Sequence, residues 1–161
     1  SPMILDNNCR LASSQAFTSS GAVSTSSLAL KVAGRDIAAG EPLCMVFTVT
    51  TAALVAASET YVFHVQTATN ADGTTGAVVV AATPTYTVSG GAIARRNDAL
   101  GAGVQVILPI PPEAIAKSTA THLAGYVTLG ASGGISCTID VLPLSHASKI
   151  VNKYADAVTF A

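Results

Sequence analysis

In the stretch PLCMVFTVTT, Leu43, Met45, Phe47 and Val49 recur at every second position, as do Tyr61, Phe63 and Val65 in TYVFHVQTA. Side chains two apart share one face of an extended chain, whereas a helix would scatter them around its axis. Both segments read as strands with one face committed to a core. TTGAVVVAAT, TPTYTVSG, GVQVILPI, LAGYVTLG and GISCTIDVLPL add runs of Val, Ile, Thr and Tyr bounded by Gly, Pro or Asn/Asp turn residues. About six to eight short strands of this kind predict an all-β sandwich or barrel. Several are apolar on both faces, as where Ile107 opposes Val104, Val106 and Leu108. A one-sided sheet does not tolerate that pattern, so two packed sheets with a covered outer face are expected.

The connections carry their own signals. Asp72-Gly73 in NADGTTG offers the positive φ that hairpin turns need, in a loop longer than two residues. The run GASGG at 130–134 lacks the Gly-Lys-Ser/Thr ending of a phosphate cradle and reads as a hairpin between two strands. In IPPEAIAKSTATH, Pro111-Pro112 followed by Glu113 and Ala114 suits one short helix. The Ser/Thr-rich SSQAFTSSGAVSTSSLAL contains Phe17, Val23, Leu28 and Leu30 and is read as strand and loop. After Pro143 the spacing of Ile150, Val151, Tyr154 and Val158 predicts a terminal helix or an extended arm that orders on a partner. The expected organisation is one β-sandwich domain over 3–144 and a tail or arm over 145–161. Met3 reads as the natural start, and no secretory leader is expected.

Composition narrows the function classes. At 161 residues the chain is the size of one domain, and only 11% of it is charged, against about a quarter in ordinary soluble domains. Much of its surface must be neutral, which suits contact with other protein. No run approaches the ~20 consecutive apolar residues of a spanning helix, so no membrane partner is expected. The net charge is −1 and Arg95-Arg96 is the only basic doublet, far from the clustered cations that a phosphate backbone demands. Nucleic acid is not an expected ligand.

Candidate chemistry is sparse. His64, His122 and His146 are accompanied by no Gly-x-Ser-x-Gly elbow, and His64 sits on the strand face opposite Tyr61, beside Gln66, as a satisfied or solvent-facing histidine would. Cys9, Cys44 and Cys137 stand far apart, without metal-ligand spacing; Cys44 and Cys137 lie in apolar runs and read as buried thiols. The nine acids are expected mostly at turns and caps. No catalytic, cofactor-binding or metal-ligating set is predicted, and no enzymatic activity.

The few charges gather in GRDIAAGEPL, where Arg35, Asp36 and Glu41 precede the first long strand. One reading is an ion pair across a solvated loop; the other is an inter-subunit clamp, since a placed charge on a neutral surface sets register and partner choice. This segment, Met3-Ile4-Leu5-Asp6 at the start and Ser14-Gln15-Ala16 in SSQAFTSSGAVST together resemble the capsid cement, or decoration, proteins of tailed bacteriophages. The resemblance covers about the first third of the chain, with support from VILPIPPE and TIDVLPL later. It implies a β-sandwich or jelly-roll-like module on the outer surface of the virion capsid, made in the host cytoplasm, which binds the major capsid protein and bridges neighbouring capsomers. It also implies a closed homo-oligomer, a trimer in preference to a dimer. Met3, Ile4, Leu5, Asp6, Arg35, Asp36, Glu41, Lys149, Tyr154 and Phe160 are the expected contacts. The alternative is a carbohydrate- or receptor-binding sandwich of a phage tail or adhesin, against which the 5% aromatic content and absence of Trp count.

Overall fold

The computed structural model describes residues 9–18, 21–32, 35–36, 42–51, 59–88, 102–112, 120–130 and 134–144. Within these, twelve strands follow in order: β1 (Arg10–Thr18), β2 (Ala22–Val23), β3 (Leu28–Ala29), β4 (Lys31–Val32), β5 (Arg35–Asp36), β6 (Leu43–Thr51), β7 (Glu59–Ala68), β8 (Val78–Ala82), β9 (Tyr86–Val88), β10 (Gln105–Ile110), β11 (His122–Gly130) and β12 (Gly134–Pro143). Sheet A has the order β1-β12-β6-β10. Sheet B has the order β2-β11-β7-β8, with β3 also on β11 and β9 also on β7, and all pairings are antiparallel. The expected sandwich is therefore what forms, and among the described residues neither sheet closes into a barrel.

The alternation of β6 and β7 builds the core. Met45, Phe47 and Val49 from sheet A face Tyr61, Phe63 and Val65 from sheet B, and all six are buried. Phe47 meets Phe63 edge-on, with centroids 5.3 Å apart, and Phe63 meets Tyr86 likewise at 5.8 Å. That geometry sets the positive ring edge against the negative face. Leu11 and Phe17 of β1, Val106 and Leu108 of β10, Leu123 and Val127 of β11, and Ile135 and Ile139 of β12 complete it. Gly125 faces inward because only a bare Cα fits there: a Cβ would lie 2.9 Å from the Met45 sulfur and 3.2 Å from two Ile139 carbons.

Part of the covered outer face anticipated from the doubly apolar strands is present on sheet A. Cys44, Val46 and Leu142 point away from the main core yet are 0%, 2% and 5% exposed, with Ile107 and Leu144 packed against them.

Two readings of connections are corrected. The 130–134 run does not close a hairpin, because β11 belongs to sheet B and β12 to sheet A, so the chain crosses between the layers there. The crossing is clasped by Tyr61 of sheet B: its hydroxyl donates to the Gly134 carbonyl (3.2 Å) and accepts from the Gly134 amide (3.1 Å). Arg35 and Asp36 are not loop residues but form β5, paired with β4 so that Lys31 stands opposite Asp36 and Val32 opposite Arg35. Residues 113–119 of the IPPEAIAKSTATH stretch, where a short helix was expected, and the tail at 145–161 lie outside the described residues.

Candidate interaction surface

The two edges of the sandwich are built differently. On the β1 side, a bulge interrupts pairing with β12 between Ala12 and Gln15, and Ser14 takes a left-handed φ of 47° there. Bulges re-aim side chains, and this one brings Gln15 to the gap between the sheets. Its Nε2 donates to the Val23 carbonyl (2.8 Å), and its Oε1 accepts from the Thr25 amide and hydroxyl, both at 2.7 Å. The Ser26 amide reaches the Leu11 carbonyl at 2.8 Å. This side is stitched shut. On the other side β10 packs against β8, and β8 ends its sheet with Val78 and Val79 60% and 53% exposed, the exposed large hydrophobics among the described residues.

The outward faces differ as well. On sheet A, beside the shielded Cys44–Val46–Leu142 cluster, Arg10 grips the buried Asp140 with Nε–Oδ1 at 2.8 Å and Nη2–Oδ2 at 3.4 Å. The bidentate contact raises the Arg10 pKa, first through the hydrogen bond and then through the charge of Asp140. On sheet B the outward residues Thr60, Val62, His64 and Tyr126 are half-buried and Thr128 is exposed. His64 and Tyr126 are cross-strand partners whose rings stack in parallel, 4.8 Å apart at 9°, and His64 Nε2 bonds Gln66 Oε1 at 2.8 Å. Burial pulls the His64 pKa below its ordinary value, with the Gln66 bond opposing. The described strands of sheet B hold no Lys or Arg, and their one acid, Glu59, is fully buried. The described strands of sheet B thus bring no charge to its outer side, and its β8 edge exposes Val78 and Val79.

Beside this face, residues 69–77 join β7 to β8 and fold back over β11. Gln66 Nε2 donates to the Gly73 carbonyl at 2.6 Å, and Ser27 Oγ to the Ala71 carbonyl at 2.8 Å. Gly73 has the positive φ (75°) expected of it, and it is buried instead of standing at a surface tip.

Of the residues predicted as contacts, Met3, Ile4, Leu5, Asp6, Glu41, Lys149, Tyr154 and Phe160 lie outside the described residues; Arg35 and Asp36 are placed by backbone alone. The reading of His64 as an outward, satisfied histidine is met, as is that of Cys44 and Cys137 as buried thiols, whose pKa values burial pushes up to about 11 and about 12. Of the acids expected mostly at turns and caps, Asp72 lies in the 69–77 loop, Asp36 lies in β5, Glu59 and Asp140 are buried within strands, and the other five lie outside the described residues. An acid inside the apolar TIDVLPL was a signal that it requires a cationic partner. No such signal marked Arg10, Gln15 or the pairing of Tyr126 with His64, which depend on register between distant strands.

Among the described residues no group of His, Cys, Asp and Glu could hold a metal ion, and no helix is long and apolar enough to cross a membrane. No protein-family model matches the chain, and no curated protein sequence does either.

Proposed function

We propose that this chain is a capsid cement protein that binds the outer surface of an assembled phage head and bridges neighbouring major capsid protein subunits. The observation that carries the reading is the outward side of sheet B, whose described strands contribute no charge and end in the exposed Val78 and Val79, on a sandwich whose other sheet has part of its outer face shielded by the Cys44–Val46–Leu142 cluster. The motifs Met3-Ile4-Leu5-Asp6, Ser14-Gln15-Ala16 and GRDIAAGEPL support the family. Ser14 and Gln15 also have a structural task, the bulge and the stitch between the sheets. The action is mechanical. A ligand that prefers the assembled lattice to free subunits stabilises the lattice by mass action, and many copies multiply a modest contact. A homotrimer on a three-fold position lets each copy reach equivalent neighbours. Residues 3–6, the Arg35-Asp36-Glu41 segment and Lys149, Tyr154 and Phe160 are the auxiliary contacts in this arrangement.

Charge placed on the neutral face tests it. Val79→Asp and Thr128→Lys alter exposed side chains outside the core. Each leaves the unfolding midpoint nearly unchanged and weakens binding to mature heads by roughly tenfold or more, the penalty for desolvating an unmatched charge. Unchanged binding by both variants removes this face from the reading.

The second reading, a carbohydrate- or receptor-binding module, is favoured by the stacked His64–Tyr126 pair, since a flat ring on an open face suits sugar stacking. Binding of oligosaccharides that is lost in Tyr126→Ser, together with indifference to heads, selects it.

A further inference from the structure

We propose that Asp72-Gly73 is a latent site of isoaspartyl modification, held closed in the folded protein by the hydrogen bonds of its own loop. An Asp-Gly step is chemically labile because glycine carries no side chain to hinder its amide nitrogen. That nitrogen attacks the Asp72 Cγ, the carboxyl oxygen leaves as water with the amide proton, and a five-membered cyclic imide forms. Water then opens the imide at either carbonyl, giving aspartate or isoaspartate with no net change in mass. The isoaspartate inserts an extra methylene into the main chain.

Glycine is not replaceable here. At φ 75° a Cβ on residue 73 would lie 2.9 Å from both Ala124 Cβ and Val23 Cγ2, so the close approach of the loop to sheet B imposes the labile pair. The same loop restrains every group the reaction uses. The Gly73 amide donates to the Asn70 carbonyl at 3.1 Å, and the Gly73 carbonyl accepts from Gln66 at 2.6 Å. Asp72 Oδ1 accepts from the amides of Thr74 and Thr75, both at 2.9 Å, and Oδ2 accepts from the Thr75 hydroxyl. The carboxylate is thereby committed to amides ahead of Gly73 and kept ionised, its pKa lowered to about 2, chiefly by the Thr75 hydroxyl. Cyclisation proceeds from the neutral acid, whose population falls about tenfold for each unit of lowering. The inference is independent of what the protein binds, although a shell component that is not replaced would gain from it.

Peptide mapping after incubation at neutral pH and 37 °C reads the isoaspartate directly, with circular dichroism as the check on folding. The folded chain accumulates it at least about tenfold more slowly than the denatured chain or the synthetic peptide TNADGTTGA, the factor expected from depletion of the neutral acid. Thr75→Val, which removes the hydroxyl that donates to Asp72 Oδ2, raises the folded rate, and Gln66→Leu, which releases the Gly73 carbonyl, does so by another route. Equal rates in folded chain and free peptide overturn the proposal, as do folded variants that both keep the wild-type rate.

Discussion

At the scale of single residues, the polar groups of this sandwich act where the chain crosses or bends. Gln15 closes one edge with three hydrogen bonds and Tyr61 clasps the entry to β12 with two. His64 is the titratable group among them with a pH consequence. Its folded pKa lies below the ordinary 6.5 because burial disfavours the imidazolium. The unfolded chain therefore binds the proton more readily, so stability rises with pH through the interval beneath 6.5 and is lost as pH falls towards the folded value. The melting temperature of the wild type should rise relative to that of His64→Gln as pH approaches 6.5 from below and keep a constant difference above it. A constant gap across that interval contradicts the assignment. Neither the ring partner of His64 nor the ion pair of Arg10 with Asp140 was legible in the sequence. Each joins residues whose proximity is set by strand register, over 130 positions in the second case.

Elements were more readable than contacts. Strands β6 to β12 follow the alternating or β-branched runs closely, because period two is a local property that burial of one face enforces. The doubly apolar pattern also anticipated the second cluster around Cys44, Val46 and Leu142. The short strands β2 and β3 lie in the stretch read only as strand and loop, and β4 and β5 were not anticipated, since two-residue strands carry no period. The 130–134 run was misread because a glycine-rich link fits a hairpin and a layer crossing equally well, and only tertiary pairing separates them. Gly125 shows how tightly β11 is fitted against sheet A. Gly125→Ala forces a methyl towards Met45, which can bend, and Ile139, whose branched side chain cannot. Overpacking of this kind costs about 1–3 kcal/mol, read as a lower guanidinium midpoint with an unchanged slope. An unaltered midpoint would show that β11 has slack that the packing denies.

For the whole molecule, asymmetry is the organising feature. Among the described residues one edge is stitched by hydrogen bonds and the other ends in exposed valines; part of the outer face of sheet A is shielded, and the strands of sheet B bring no charge to theirs. Such a body suits attachment by one side to a larger protein surface, and its low charge removes the repulsion that would keep copies apart. Binding to assembled heads compared with binding to unassembled capsid subunits tests this most directly. Co-sedimentation with mature heads should saturate at a fixed ratio of copies to capsid subunits while unassembled subunits leave the protein in the supernatant. Equal binding to both, or to neither, contradicts the account.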